Sequence, residues 1–230
     1  MTKITLHYDV VSPWSLFAYH ILKRYRKAWN YELVLKPMFL GGVMNASGNK
    51  PPLTVKNKGI WMNKHDMPLF SEMSDIPYTF PETFPFNTIQ CMRFLRAVEQ
   101  LYPDKLEKAT DLFWTLVWQR PQGETAKSAT DLSTFPFKFV DRGILTRDEV
   151  DKVVEASQST ENKDRLKREA EALVNDKGAF GFPWIEVERR SGETRAFFGT
   201  DRFEQIAYWL GEKWDGPKGP SSSSSSSSKL

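Results

Sequence analysis

The sequence contains one cysteine, which excludes an internal disulfide and any redox motif that needs two neighbouring thiols. It also excludes cysteine-rich zinc sites and is typical of a protein from a reducing compartment. The net charge is also small, because 32 lysines and arginines are nearly balanced by 29 aspartates and glutamates, which leaves +3. Without a long basic block, nothing in the sequence indicates nucleic-acid binding.

Long apolar runs are also missing. No segment approaches the ~18 consecutive apolar residues of a membrane span, and the first residues lack the basic start and apolar run of a secretory signal. We therefore expect neither a membrane span nor export. What the 230-residue chain does have is 40% hydrophobic and 13% aromatic residues. That content is enough for a packed core in one or two domains.

The C-terminal segment has the most unusual composition. Eight serines at 221–228 cannot build a core, so we expect residues 221–230 to be disordered. The last three residues are Ser228, Lys229 and Leu230, which form the tripeptide that peroxisomal import receptors bind at a free C-terminus. We interpret the tail as a tethered peroxisomal signal, and a chance match or a remnant of cloning is the alternative. The expected location is the peroxisome, with the cytoplasm or the mitochondrion as alternatives.

The hydrophobic pattern predicts a strand, a helix and a second strand in the first forty residues. Residues 4–10 alternate apolar and polar side chains, as a half-buried strand does. Residues 14–25 have helical spacing, with Ser12 as the N-cap. Residues 31–40 have strand character again, so the crossover between the strands should be right-handed. The Gly-, Asn- and Pro-rich residues 41–52 predict a loop.

The middle of the chain keeps a helical period for about a hundred residues. Strand patterns return at 184–188 and 196–198, on either side of a turn at 190–193. A last helix is predicted to begin after Thr200 or Asp201, which would cap it. The expected α/β fold therefore has βαβ and ββα halves with an all-helical insertion between them.

The first candidate site is the turn from the first strand into the first helix, Ser12-Pro13-Trp14-Ser15. A helix N-terminus at the end of a strand directs backbone N–H groups and positive dipole at one point, where an anion or a thiolate is stabilised. The two serines are spaced like the cysteines of a dithiol oxidoreductase. The residues alone leave two interpretations, a thiolate-binding site or a serine that only caps the helix.

Two later segments are further candidates. Pro183 precedes a strand and cannot donate to it, so a cis Phe182–Pro183 bond is predicted. The backbone of Phe182 would then be free to pair with an extended peptide ligand, and an ordinary aromatic loop is the alternative. At Thr200-Asp201, backbone N–H groups could bind a carboxylate and the Asp201 side chain an ammonium group, with simple helix caps as the alternative.

In this order, the three segments resemble the kappa class of glutathione transferases, a thioredoxin-like family related to DsbA. The similarity extends over residues 4–220. It includes Tyr8-Asp9-Val10-Val11-Ser12-Pro13, Ser47-Gly48-Asn49-Lys50-Pro51-Pro52, Lys58-Gly59, Met92-Arg93-Phe94-Leu95 and Leu210-Gly211-Glu212-Lys213-Trp214. The resemblance implies a thioredoxin-like domain of residues 1–55 and 176–220, with a helical insertion of residues 56–175.

The resemblance also implies roles for single residues. Ser12 would contact the glutathione sulfur, with Pro13 and Trp14 beside it in the thiol site. Asn49 would bind the tripeptide backbone, and Lys58 would lie near the glycyl end.

The other implied contacts are in the last third of the chain. Phe182, where the family commonly has leucine, and Pro183 would pair through the backbone. Thr200 stands in place of the more usual serine, and Asp201 would receive the γ-glutamyl group. Residues 125–163 do not match the family clearly and are expected to shape the acceptor pocket.

The activity that the resemblance implies is glutathione transfer, with glutathione as cosubstrate, a hydrophobic electrophile or a peroxide as acceptor, and a homodimeric assembly. Ser12 would favour the thiolate form of the cosubstrate. An isomerase similar to 2-hydroxychromene-2-carboxylate isomerase is one alternative, and a non-catalytic glutathione-binding protein is another. A dithiol oxidoreductase is contradicted by serine at positions 12 and 15.

The remaining reactive residues indicate no second site. Cys91 lies on an apolar helical stripe and is predicted to be buried and unreactive. Trp114 and Trp118 are one helical turn apart and are predicted to pack in the core, with the lining of a pocket or a dimer face as the alternative. Three histidines share no spacing that would bring metal ligands together, so no metal is expected: His7, His20 and His65.

Overall fold

The computed structural model describes residues 1–120 and 125–220, so the predicted serine tail and its C-terminal tripeptide lie outside the described residues. The strands are β1 Thr2–Tyr8, β2 Tyr31–Pro37, β3 Trp184–Glu188 and β4 Thr194–Phe198. The helices are α1 Pro13–Tyr25, α2 Leu40–Ser47, α3 Lys56–Trp61, α4 Met67–Ser74, α5 Ile89–Leu101, α6 Leu106–Trp118, α7 Ala126–Thr130, α8 Phe135–Asp141, α9 Arg147–Gln158, α10 Thr160–Lys177 and α11 Phe203–Leu210. A π-helical turn, Met62–Asp66, joins α3 to α4.

The four strands form one mixed sheet in the order β2-β1-β3-β4. β1 is parallel to β2 and antiparallel to β3, and β3 is antiparallel to β4. A parallel pair needs a crossover, which α1 supplies. The β3–β4 hairpin is closed by the Arg189 N–H, which donates to the Glu193 carbonyl at 2.9 Å. The predicted βαβ and ββα halves, with helices between them, are confirmed.

One continuous hydrophobic core joins the sheet to the inserted helices. Ile4, Leu6 and Tyr8 point from β1 into this core and are fully buried, as the alternating pattern predicts. The Tyr8 hydroxyl reaches Thr110 on α6, with 2.6 Å between the two oxygens. The same apolar cluster continues through α5, α6 and α8. The strand ends that carry the candidate site are therefore packed against the core. The division into two domains stays a prediction.

The predicted loop at 41–52 and the predicted strand to residue 40 are wrong in part, because β2 ends at Pro37 and α2 occupies Leu40–Ser47. Val43 of α2 is fully buried in a second apolar cluster with Ala170 and Leu173 of α10. A Cβ on Gly42 would lie 3.7 Å from the Cβ of Ala170, an ordinary contact distance, so this face of α2 lies directly against α10. Packing against α10 thus outweighs the loop preference of glycine and asparagine.

The last helix also begins differently from the prediction. Residues Thr200–Arg202 form a 3₁₀ turn, and α11 follows without a side-chain cap. Thr200 is buried, and its hydroxyl donates to the Trp14 carbonyl at 2.7 Å. The prediction that Thr200 caps this helix is therefore wrong, because its hydroxyl is bonded to α1. Among the helices of the described residues, none has the length and apolar character to cross a membrane.

Candidate functional site

A cleft of about 640 Å³ opens where β1 ends and α1 begins. The turn that carries Ser12 forms its base. Residues 180–182 and Phe198 line one side, and residues 39–67 and 80–88 supply the rest of the lining. A volume of several hundred Å³ is in the range of sites that bind drug-sized ligands.

Ser12 is the N-cap of α1, and Pro13 is its first residue, as the sequence predicts. The Ser12 hydroxyl oxygen accepts the Ser15 N–H at 3.2 Å, and the Ser12 N–H donates to the Asp9 carbonyl at 3.0 Å. Only 5% of Ser12 is exposed, so a ligand reaches it from the cleft alone. The oxygen caps the helix as an acceptor, and the hydroxyl keeps its proton for a separate hydrogen bond.

The predicted cis bond between Phe182 and Pro183 is confirmed, and it lies beside Ser12. The Ser12 hydroxyl donates to the Phe182 carbonyl at a long 3.4 Å, which is a weak contact that a better acceptor could replace. Within the described residues, the N–H groups of Trp14 and Phe182 have no acceptor. Two backbone donors and one hydroxyl are therefore available to a ligand at the base of the cleft.

Asp9 lies directly beneath this turn and is fully buried. Its carboxylate accepts three hydrogen bonds, from the Val11 N–H at 3.0 Å, the Leu40 N–H at 2.8 Å and the Thr88 hydroxyl at 2.7 Å. Burial raises the pKa of Asp9 to about 6, and the three donors act in the opposite direction. The sequence pattern did not single out Asp9 or Thr88. The sequence feature that could have identified Asp9 is an acidic residue directly after an apolar strand.

Asn49 and Lys58 also line the cleft, as the resemblance implies. The Asn49 amide nitrogen donates to the Phe180 carbonyl at 2.7 Å, and its oxygen accepts the Lys50 N–H at 2.8 Å. Asn49 therefore connects the end of α2 to the loop before Pro183. Lys58, on α3, is exposed and forms no ion pair with the described part of the chain. Of the predicted site residues, the cleft brings together Ser12, Pro13, Trp14, Asn49, Lys58 and Phe182.

Three predicted residues lie outside the cleft lining. The Pro183 carbonyl accepts the Gly199 N–H at 3.1 Å, and the Thr200 hydroxyl is bonded to α1. Asp201 is exposed and pairs with the guanidinium of Arg202. The glutathione contacts of Pro183, Thr200 and Asp201 stay predictions.

Three phenylalanines form an aromatic wall on the cleft: Phe80, Phe84 and Phe86. All three are half-buried, and each has its ring centroid within 5.8–6.4 Å of that of Trp118. The Trp118 indole N–H donates to the Val10 carbonyl at 2.7 Å, so the aromatic wall is anchored to the turn that carries Ser12.

The expectation that residues 125–163 shape the pocket is wrong, because none of them lines the cleft. Their aromatic side chains are used in the core. Phe135 and Phe139 are fully buried and pack against Phe94 and Phe113, with ring centroids 4.8–5.3 Å apart. The sequence missed the aromatic wall because its residues follow no helical or strand period.

The predicted burial of Cys91, Trp114 and Trp118 is confirmed. Cys91 is fully buried, its thiol points at the Ala129 carbonyl, and burial raises its pKa well above the usual range. Trp114 and Trp118 are both fully buried in the core. Over residues 1–120 and 125–220, no group of three or more His, Cys, Asp or Glu side chains is arranged to hold a metal ion.

Comparisons with known proteins agree with this geometry. Residues 3–211 match the DSBA-like thioredoxin domain family. Glutathione S-transferase kappa 1 of Homo sapiens is 36% identical over 222 residues, and that of Rattus norvegicus is 35% identical over 222 residues. In both alignments 94% of each chain is covered.

A solved structure shows the same fold at lower identity. A 2-hydroxychromene-2-carboxylate isomerase superposes with a TM-score of 0.70 at 18% identity, over 91% of this chain and 94% of that chain. At 18% identity, the similarity to this isomerase shows a shared fold only. The family match and the two transferase relatives, by contrast, extend over nearly the whole chain. The chain therefore belongs to the kappa class of glutathione S-transferases, within the DSBA-like thioredoxin domain family.

Proposed function

We propose that this protein transfers glutathione to electrophilic substrates and that Ser12 stabilises the glutathione thiolate. The observation that carries the proposal is the position of the Ser12 hydroxyl at the N-terminus of α1, opposite the cis Phe182–Pro183 bond. The names of the two full-length relatives support the same reaction.

The chemistry follows from thiol ionisation. A free thiol has a pKa near 8.5, so only a few per cent is thiolate at neutral pH. A hydrogen bond from the Ser12 hydroxyl, the free Trp14 N–H and the helix dipole all favour the anionic sulfur. A shift of one to two pKa units, at about 1.4 kcal/mol each, raises the thiolate fraction about tenfold or more. The thiolate then forms a C–S bond, and the leaving group departs with its electron pair.

The aromatic wall supports a hydrophobic acceptor. Phe80, Phe84 and Phe86 present half-buried rings to the cleft, and ring faces bind planar apolar groups well. Lys50 and Lys58 are exposed on the same cleft and could neutralise the carboxylates of glutathione. The site thus has a charged region for the cosubstrate and an apolar region for the acceptor.

Steady-state conjugation of glutathione to an aryl halide tests the proposal. We expect saturable turnover in both substrates, and release of one halide ion per conjugate formed. A glutathione-dependent isomerase is the alternative, and it would turn over the 2-hydroxychromene-2-carboxylate substrate without net consumption of glutathione. Isomerisation without conjugation would contradict the transferase assignment. Glutathione binding without either reaction would identify a binding protein instead.

We also propose that the tail directs this protein to peroxisomes. A fluorescent reporter that carries residues 216–230 should enter peroxisomes, because the receptors bind the terminal Ser228-Lys229-Leu230 carboxylate. Deletion of Leu230 should return the reporter to the cytosol. A reporter that stays cytosolic in both forms rejects the targeting signal.

We further propose the homodimer that the family resemblance implies. Large apolar side chains are exposed along α3 and α4, where Val55, Trp61, Leu69 and Met73 are 47–65% exposed. Apolar patches of this kind are typical of protein interfaces.

A further inference from the structure

One buried carboxylate joins three separate segments beneath the cleft. Asp9 Oδ1 accepts the Val11 N–H and the Thr88 hydroxyl, and Oδ2 accepts the Leu40 N–H. These donors belong to the turn before α1, the turn before α5 and the N-terminus of α2. The Asp9 carbonyl also accepts the Ser12 N–H at 3.0 Å, so both the backbone and the side chain of Asp9 hold the turn.

We propose that Asp9 is a positioning residue for the conjugation reaction: it holds the Ser12 turn and the aromatic wall at a fixed separation through Thr88. The inference rests on the proposed function, because it assigns the two held segments to the cosubstrate and to the acceptor. Asp9 borders the base of the cleft, but it is fully buried and both of its carboxylate oxygens are bonded to protein donors, so we assign its effect to the groups that it binds.

The geometry gives this contact a direct route to the reaction. Val11 immediately precedes Ser12, and Thr88 lies two residues after Phe86 of the aromatic wall. Bound sulfur and acceptor must approach to about 3–3.5 Å, and a displacement of about 1 Å can cost about 10²-fold in rate. The hydrogen bond from the Trp118 indole to the Val10 carbonyl is a second connection between the aromatic wall and the Ser12 turn, which indicates that their separation is fixed.

The charge on Asp9 depends on its three donors. The ionisable groups that interact with it are Tyr8 on β1 and Cys91 on α5, and burial raises the pKa of both, so they are neutral at neutral pH. Within the described residues no cation forms an ion pair with Asp9. Removal of one donor should therefore raise the Asp9 pKa further above its usual value.

Thr88→Val tests the proposal, because valine has nearly the same shape and lacks the hydroxyl. We expect kcat/KM for the acceptor to fall about tenfold and the KM for glutathione to change less than about twofold. Wild-type activity should fall first as the bound glutathione thiolate is protonated, and more steeply below pH about 6, the pKa of Asp9. In Thr88→Val this steeper part of the acid limb should begin at higher pH, because the carboxylate is then protonated more easily. Thr88→Ser keeps the hydroxyl and should restore the wild-type profile.

Thr110→Val is the matched control. Thr110 is also fully buried, and its hydroxyl lies 2.6 Å from the Tyr8 hydroxyl, away from the cleft lining. It should leave the acid limb in place. If Thr88→Val lowers thermal stability but keeps the wild-type pH profile and acceptor kinetics, Thr88 and Asp9 are only structural and the inference is overturned. A wild-type protein that conjugates nothing overturns the proposed function and this inference together.

Discussion

Ser12→Ala is expected to lower kcat/KM for conjugation at neutral pH by about 10- to 100-fold. The alanine variant loses the hydroxyl that we propose donates to the glutathione sulfur, and with it most of the one to two pKa units that would favour the thiolate. Activity should recover as pH rises toward the pKa of free glutathione, about 8.5, because the thiol then ionises without help. A pH profile of kcat/KM for both proteins measures this shift.

Ser15→Ala is the matched control for this prediction. Ser15 is fully buried, and its hydroxyl has no hydrogen-bond partner among the described residues. Its N–H donates to the Ser12 oxygen and stays in place when the side chain is shortened. We expect Ser15→Ala to retain activity within about threefold of wild type, since no polar contact is lost. Equal activity of Ser12→Ala and wild type would contradict the role of the Ser12 hydroxyl.

The second large effect is expected for Ser12→Cys, which should exchange conjugation for thiol–disulfide chemistry. The introduced thiol lies at a helix N-terminus, where its pKa falls and its thiolate is reactive. With glutathione disulfide, this thiolate attacks one sulfur, the S–S bond breaks and one glutathione thiolate leaves. The product is a mixed disulfide between protein and glutathione, which intact mass spectrometry detects as a single adduct.

The chain offers two controls for this experiment. Wild type should form no adduct, because its single thiol, Cys91, is fully buried and its pKa is raised. Ser15→Cys places the same new thiol three residues away at a fully buried position, so it should react far more slowly than Ser12→Cys. Equal adduct formation in the two variants would show that position 12 has no special access to glutathione.

The sequence could predict the parts of the site that depend on local chemistry. Ser12 and Pro13 begin a helix at the end of a strand, and that pattern requires only a capping residue and a residue with fixed φ. Pro183 before a strand likewise indicated the cis bond. The contact between the Ser12 turn and the Phe182–Pro183 segment does not depend on local sequence. Only the fold brings Phe182 to Ser12, across 170 residues of chain, and the family resemblance supplied it in advance.

The parts that the sequence could not predict depend on contacts between distant residues. α2 is helical because Val43 is buried against α10, although its composition is typical of a loop. Phe84 and Phe86 follow no regular period, so nothing local distinguished the aromatic wall from an irregular connection. Asp9 matters because Leu40 and Thr88 meet it in the folded chain, and neither is its neighbour in sequence.

Titration of the thiolate absorbance of bound glutathione tests the central claim most directly, because it measures the ionisation that Ser12 is proposed to favour. In the wild-type protein, the pKa of bound glutathione should lie one to two units below the value of about 8.5 for a free thiol. In Ser12→Ala it should return most of the way to that value. A wild-type pKa equal to that of free glutathione, or identical pKa values in the two proteins, would contradict the account.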